Sequence, residues 1–271
     1  MSKKLTAIKN AIWAICLVAA LGVLFVALIY AAVRRYGGEQ FSGRIELGGR
    51  GAAEASVQES SSVGGEETAL RILSKTKDMG QSYIEELYFL CDSRLSALAG
   101  SGLVNAAQVW SSRSGSIPAG TLSDFRILLQ DGSEISPREA AMVKKPKLLV
   151  ISLGSDGLAE LDRETFVEGY EALIASILAT SPETQIICLS QPSVCSEYSG
   201  TDGLTAELIA NANGWIRELC AETGVYYADA ADALDRSGKL KEDYASYDGK
   251  SLNLSGLTEL LDYLRKHALI Q

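Results

Sequence analysis

The chain has 271 residues, 47% of them hydrophobic and 22% charged, enough for one domain with a sizeable core once an N-terminal segment and a linker are set aside. Its net charge of −9 excludes a nucleic-acid surface, which needs clustered Lys and Arg. A single histidine, His267, excludes any metal site built from several His and leaves one imidazole for any mechanism that needs a base.

Residues 1–10 carry Lys3, Lys4 and Lys9 and read as a short cytoplasmic tail. Residues 11–33 carry no charge. As a helix they span roughly 34 Å, against roughly 30 Å of hydrocarbon. Arg34 and Arg35 follow, and the balance of positive charge puts the N-terminus inside and the rest of the chain outside. The expectation is an uncleaved single-pass membrane anchor; the run is too long for the apolar core of a usual signal peptide. Residues 34–80 are rich in Gly, Ser, Ala and Glu and read as a flexible tether with room for a short helix. Cys91, Cys188, Cys195 and Cys220 show no metal-ligand spacing. Two readings stay open for them: small buried apolar residues, or a Cys188–Cys195 pair in an oxidising compartment.

From residue 81 to 271 short apolar runs alternate with helical patterns. "LYFL" (Leu87 to Leu90) and "AQVW" (Ala107 to Trp110) read as strands, the second weaker. "KLLVISLG" follows Pro146 as a buried strand. "ETFVEGYEALIASILAT" carries Phe166, Val167, Tyr170, Leu173, Ile174 and Ile177 at helical spacing. "QIICLSQP" is a further strand, "LTAELIANANGWIRELCAETG" a helix stopped by Gly224, "VYYADA" a strand and "LTELLDYLRKHAL" a closing helix. Strands apolar on both faces and separated by helices predict an α/β fold, a three-layer doubly wound sandwich with a mainly parallel sheet. Such sheets form their sites beyond the carboxyl ends of the strands. The segments there are "CDSRLSAL", "SSRSGS" and "GSDGL", with "DGKSLN" near the C-terminus.

In that order these segments resemble the sequence blocks of the SGNH, or GDSL, hydrolase family. "SYIEELYFLCDSRLSAL" is similar to the block whose Gly-Asp-Ser carries the nucleophile. Gly115 is similar to the glycine of the second block. "KPKLLVISLGSDGL" is similar to the Gly-x-Asn-Asp block, and "YDGKSLNLSG" to the Asp-x-x-His block. The resemblance implies Ser93 as nucleophile and one oxyanion donor through its N–H, and Gly115 as the second donor. It places Asp156 where the family has an amide donor, with Gly154 and Asp92 completing the pocket. Asp248 falls at the carboxylate that orients the base, and Ser251 at the base itself.

Three departures follow from the residue types. Cys91 replaces the glycine before Asp-Ser. Asp156 replaces an NH₂ donor with a group that only accepts when ionised, and loss of one oxyanion donor costs about 10²–10³ in rate. Ser251 cannot take a proton at neutral pH, and removal of a triad member costs on the order of 10⁴–10⁶. His267, Lys250 and Asp248 are the substitutes available as base, and Cys91 is the alternative nucleophile. Each has a plain structural reading. His267 is a helix-end residue, Lys250 a solvated loop residue, Asp248 a turn cap and Cys91 a small buried one. Ser93 reads equally as a helix N-cap, and Asp156 as a turn cap or a partner of Arg94 or Arg113.

Two functions from different classes remain. One is a catalytically impaired, membrane-anchored extracytoplasmic domain that binds a cell-envelope glycan, an acyl group or a protein partner. The other is an active serine esterase or O-acetyl-transfer enzyme on acylated cell-surface carbohydrate, working with an unconventional base. A purely structural module is a third. No sequence feature asks for a cofactor or a metal.

Overall fold

The computed structural model describes residues 69–270. The apolar segment 11–33 and the first part of the tether lie outside the described residues. Among the described residues no helix is long and apolar enough to cross a membrane.

The strands and helices follow one another in this order. They are β1 (Arg71–Ile72), α1 (Gly80–Glu86), β2 (Leu87–Cys91), β3 (Val109–Trp110), β4 (Ile127–Leu128), β5 (Glu134–Ile135), α2 (Pro137–Lys144), β6 (Leu148–Ser152), α3 (Arg163–Leu178), β7 (Gln185–Leu189), α4 (Ala206–Thr223), β8 (Tyr226–Ala228), α5 (Ala231–Leu234), β9 (Asp235–Arg236), β10 (Lys239–Leu240) and α6 (Leu254–Lys266). Six strands form one sheet in the order β1-β8-β7-β6-β2-β3, and every neighbouring pair is parallel. β4–β5 and β9–β10 are separate antiparallel pairs.

The period of two along each strand divides the core into two layers. Leu149 and Ile151 of β6, with Ile186 and Cys188 of β7, pack against Phe166, Tyr170, Ile174 and Ile216 of α3 and α4. Leu148 and Val150, with Ile187 and Leu189, pack against Ile84 of α1 and Leu257, Leu260 and Leu264 of α6. A central strand apolar on both faces therefore requires helices on both sides, as the sequence predicts. Burial of each of these large side chains contributes about 1.5–3 kcal/mol.

The helix ends follow local chemistry. Ser136 and Glu139 form a capping box on α2, with Pro137 in the first turn. Asp162, Thr205 and Asn253 cap α3, α4 and α6 through their side chains. Gly224 ends α4 at φ +72°, the expected stop.

Several details differ from the sequence reading. β1 pairs with β8 at residues 71–72, so the folded part reaches back ten residues before the expected boundary at 81. "AQVW" supplies only two strand residues, because Asn105 caps a short 3₁₀ turn over Ala106–Gln108. The four described cysteines are all free and buried. Cys188 and Cys195 lie in opposite layers of the core, so they are not a pair; each behaves as a small apolar residue.

Candidate active site

Parallel strands put their following loops on one edge. Cys91 ends β2, and Asp92, Ser93 and Arg94 turn away from it. Ser152 ends β6 and is followed by Gly154, Ser155 and Asp156. Asp92 joins the two turns. Its N–H donates to Ser152 O at 3.2 Å, and its carboxylate accepts from Ser155 N–H at 3.0 Å and Ser155 Oγ at 2.9 Å. Asp92 is fully buried. Burial, reinforced by the nearby charge of Asp156, pushes its carboxyl up to about 6, against the pull of the Ser155 bonds and of Arg94.

Ser93 and Asp156 meet at this edge. Ser93 Oγ donates to Asp156 Oδ1 at 2.5 Å, and Ser93 N–H lies 3.3 Å from Oδ2. The third loop adds Ser116 Oγ and Ile117 N–H, each 2.9 Å from Oδ2. Four donors thus converge on one carboxylate. Ser93 is not a helix cap: the 3₁₀ turn that follows, Ser96–Gly100, has Leu95 at its N-cap and no side-chain cap. Asp156 is not paired with an arginine either. Arg113 binds Glu134 at 2.6 Å, and Arg94 donates to Ser193 O at 2.6 Å.

Gly115 has a different role from the one the resemblance implies. Its N–H donates to Ser112 O at 3.0 Å and is not free for an oxyanion. The backbone donor from this loop is Ile117. Gly115 sits at φ +80°, and a Cβ there would lie 2.9 Å from Ser96 Oγ, so glycine lets the third loop close against the Ser93 turn. Gly154 is likewise a close-approach residue: at φ +107° a Cβ would meet the Phe166 ring at 2.6 Å.

In the C-terminal loop, Asp248 is satisfied by its own turn. Asp248 accepts from Lys250 N–H (3.0 Å), Ser251 N–H (2.8 Å) and Ser251 Oγ (2.6 Å). Burial pushes the Asp248 carboxyl up, but these bonds and the Lys250 charge outweigh it and hold the group below the usual range. Ser251 thus takes the hydrogen bond that a base would make with Asp248. Neither Asp248 nor Ser251 is hydrogen-bonded to Ser93. A concavity of about 410 Å³ opens beside this turn, lined by Glu197, Tyr198, Glu242, Tyr247 and Asp248. Tyr247 is fully exposed.

The remaining candidates for base are engaged elsewhere. Lys250 Nζ forms an ion pair with Asp202 at 2.7 Å. His267 stacks on Tyr263 at 4.0 Å and shares a hydrogen bond with the Tyr263 carbonyl at 2.9 Å, at the far end of α6 from Ser251. Cys91 is sealed in the core, where burial pushes its thiol far above the ordinary range, so it is no nucleophile.

Sequence reasoning passed over Arg94 as a site residue. It has no solvent exposure, its carbonyl accepts from Leu252 N–H at 3.1 Å, and its Nε and Nη1 have no partner among the described residues. Burial lowers its pKa, while Asp92, Asp235, Asp248 and Asp156 pull the other way. It is the buried cation around which the site's carboxylates gather. Its position directly after Ser93 was the one available signal. Among the described residues no cluster of His, Cys, Asp and Glu could hold a metal ion.

The chain thus has a parallel sheet covered by helices on both faces, with an Asp-Ser turn after β2. Residues 91–259 match the GDSL-like lipase/acylhydrolase family, and the chain belongs to it. Solved structures are similar to the chain at low identity. A carbohydrate esterase of family 3 from Talaromyces cellulolyticus is 14% identical, with 66% of this chain and 92% of that chain covered and a TM-score of 0.42. A carbohydrate acetylesterase from Sinorhizobium meliloti is 15% identical over 55% and 73%, with a TM-score of 0.41. A peptidoglycan O-acetylesterase is 13% identical over 62% and 41%, with a TM-score of 0.37. No curated protein matches the chain.

Proposed function

We propose that this protein is a silenced member of the family, held outside the cytoplasmic membrane by residues 11–33, which binds a cell-envelope glycan, an acyl group or a protein partner without cleaving it. The observation that carries this reading is the state of Ser93. Its proton is directed at Asp156, and the Asp156 carboxylate takes up the N–H and O–H donors around it. An oxyanion forming on a substrate would need those donors and would meet a negative charge instead. Ser251, at the base position, is a hydroxyl that caps Asp248. Membership of the family points to acyl esters as the chemistry on which the pocket was built.

The 2.5 Å contact favours one rival, in which Asp156 itself takes the Ser93 proton. That rival has to form an oxyanion against the charge of its own base. Hydrolysis of a small activated acetyl ester by the full-length protein separates the two. The silenced reading expects wild type to match Ser93→Ala, and expects Asp156→Asn with Ser251→His to gain turnover that depends on Ser93. Turnover by wild type that Ser93→Ala abolishes overturns it.

A further inference from the structure

The Asp156 carboxylate is held as a bound ligand would be. Its four donors come from two loops distant in sequence, the nearest 39 residues away, and none belongs to its own turn. Two are backbone N–H groups fixed by the fold. Ser116 is oriented in turn, because its carbonyl accepts from Ser112 Oγ at 2.6 Å. Hydrogen bonds from such donors to a carboxylate are the charge-assisted kind, roughly twice as strong as neutral ones. The Asp156 backbone is pinned separately, its carbonyl accepting from Ala119 N–H at 2.7 Å. The side chain can therefore leave without the loop leaving. Both Ser93 and Asp156 are only partly buried, so solvent reaches the place the carboxylate fills.

We propose that Ser93, Ser116 and Ile117 form a carboxylate-binding site that the chain's own Asp156 keeps closed, and that the ligand it takes is a larger acid that ends in a carboxylate and makes further contacts beside it. The proposal rests on the reading that this site binds rather than cleaves. Asp156 competes as a tethered ligand, at an effective concentration of about millimolar or above. A free acid that offers only its carboxylate is excluded at ordinary concentrations, and a ligand with further contacts is not. Arg94, buried beside the Ser93 turn, lends positive charge to the site, and Asp92 opposes it.

The test uses full-length protein at neutral pH, with labelled acetate in equilibrium dialysis against a chloride background. Wild type is expected to show no saturable binding below about 10 mM. Asp156→Ala is expected to bind acetate with a Kd on the order of millimolar. Adding Ser116→Ala to it is expected to weaken that binding by roughly 10-fold or more, the effect of one hydrogen bond to a charged group. The proposal is overturned if Asp156→Ala binds no better than wild type, if its binding ignores Ser116, or if wild type itself binds. Should Asp156→Ala fail to fold by circular dichroism, Asp156→Ser decides by the same criteria. Acetate binding is independent of ester turnover, so this result and the hydrolysis result can fail separately.

Discussion

Two carboxylates dominate the strand-end edge, and they are satisfied in opposite ways. Asp248 finds all its partners within three residues of itself, in the turn "DGKS". Asp156 finds its partners 39 to 63 residues away, on the loops after β2 and β3. The first is a local motif that would form in any context giving it a turn. The second exists only because a parallel sheet delivers three loops to one edge. Catalytic chemistry in this family requires the two regions to act on each other through a base. Here Asp156 and Asp248 share no hydrogen-bond partner, and under the proposed reading no base links them.

The comparison can be broken most severely beneath the Asp156 corner. Asp92→Ala leaves Ser155 N–H and Oγ without their acceptor and strips a counter-charge from buried Arg94. The expected loss is about 3–5 kcal/mol, read as a lower urea midpoint. Asp92 also sets a pH dependence. Its folded pKa is raised, so the folded state binds the proton more tightly than the unfolded state. Its favourable contribution is complete below the unfolded value and is lost as pH rises through about 6. Urea midpoints for wild type should therefore show a component that falls across this window, and Asp92→Asn should remove it.

Asp156→Ala comes next. Four donors lose their carboxylate, but the corner is only partly buried and water can replace it, so about 1–3 kcal/mol is expected by the same measurement. Asp248→Ala should cost about 1–2 kcal/mol and should add independently to Asp156→Ala in the double variant. Coupling well above about 0.5 kcal/mol would show that the two regions communicate after all. The smallest effect belongs to Lys250→Ala. Its ion pair with Asp202 is partly exposed, and a change of about 0.5 kcal/mol, shrinking with added salt, is expected.

Much of the fold was legible before the structure. "KLLVISLG" and "QIICLSQP" read as buried strands because each holds an unbroken apolar run, Leu148 to Ile151 and Ile186 to Leu189, and a strand buried on both faces admits few architectures. α3 and α4 read as helices from the spacing of Phe166, Tyr170, Leu173 and Ile177 and from the stop at Gly224. β1, β4, β5, β9 and β10 were not legible. Two residues carry no periodicity, and their pairing is decided by the partner strand. α2 was overlooked although Ser136, Pro137 and Glu139 carry a capping signal, because Ala140 and Ala141, which it buries, are small and Met142 and Val143 are exposed.

Within the site, the sequence placed Asp248 in a capped turn, since Asp-Gly and the nearby Ser hydroxyl are local chemistry. It also established that His267 is the single histidine of the sequence. It did not show which backbone N–H of the third loop reaches Asp156. Gly115 matches the family pattern, but which N–H faces Asp156 depends on how the loop closes against Ser96, and the closure turns Ile117 inward instead. The residue types Ser93 and Asp156 were fixed by the sequence, while their contact was not. That contact, like the burial of Arg94, required strands β2, β3 and β6 to lie side by side and end together, and hydrogen bonds spanning 39 and 63 residues are decided only by tertiary structure.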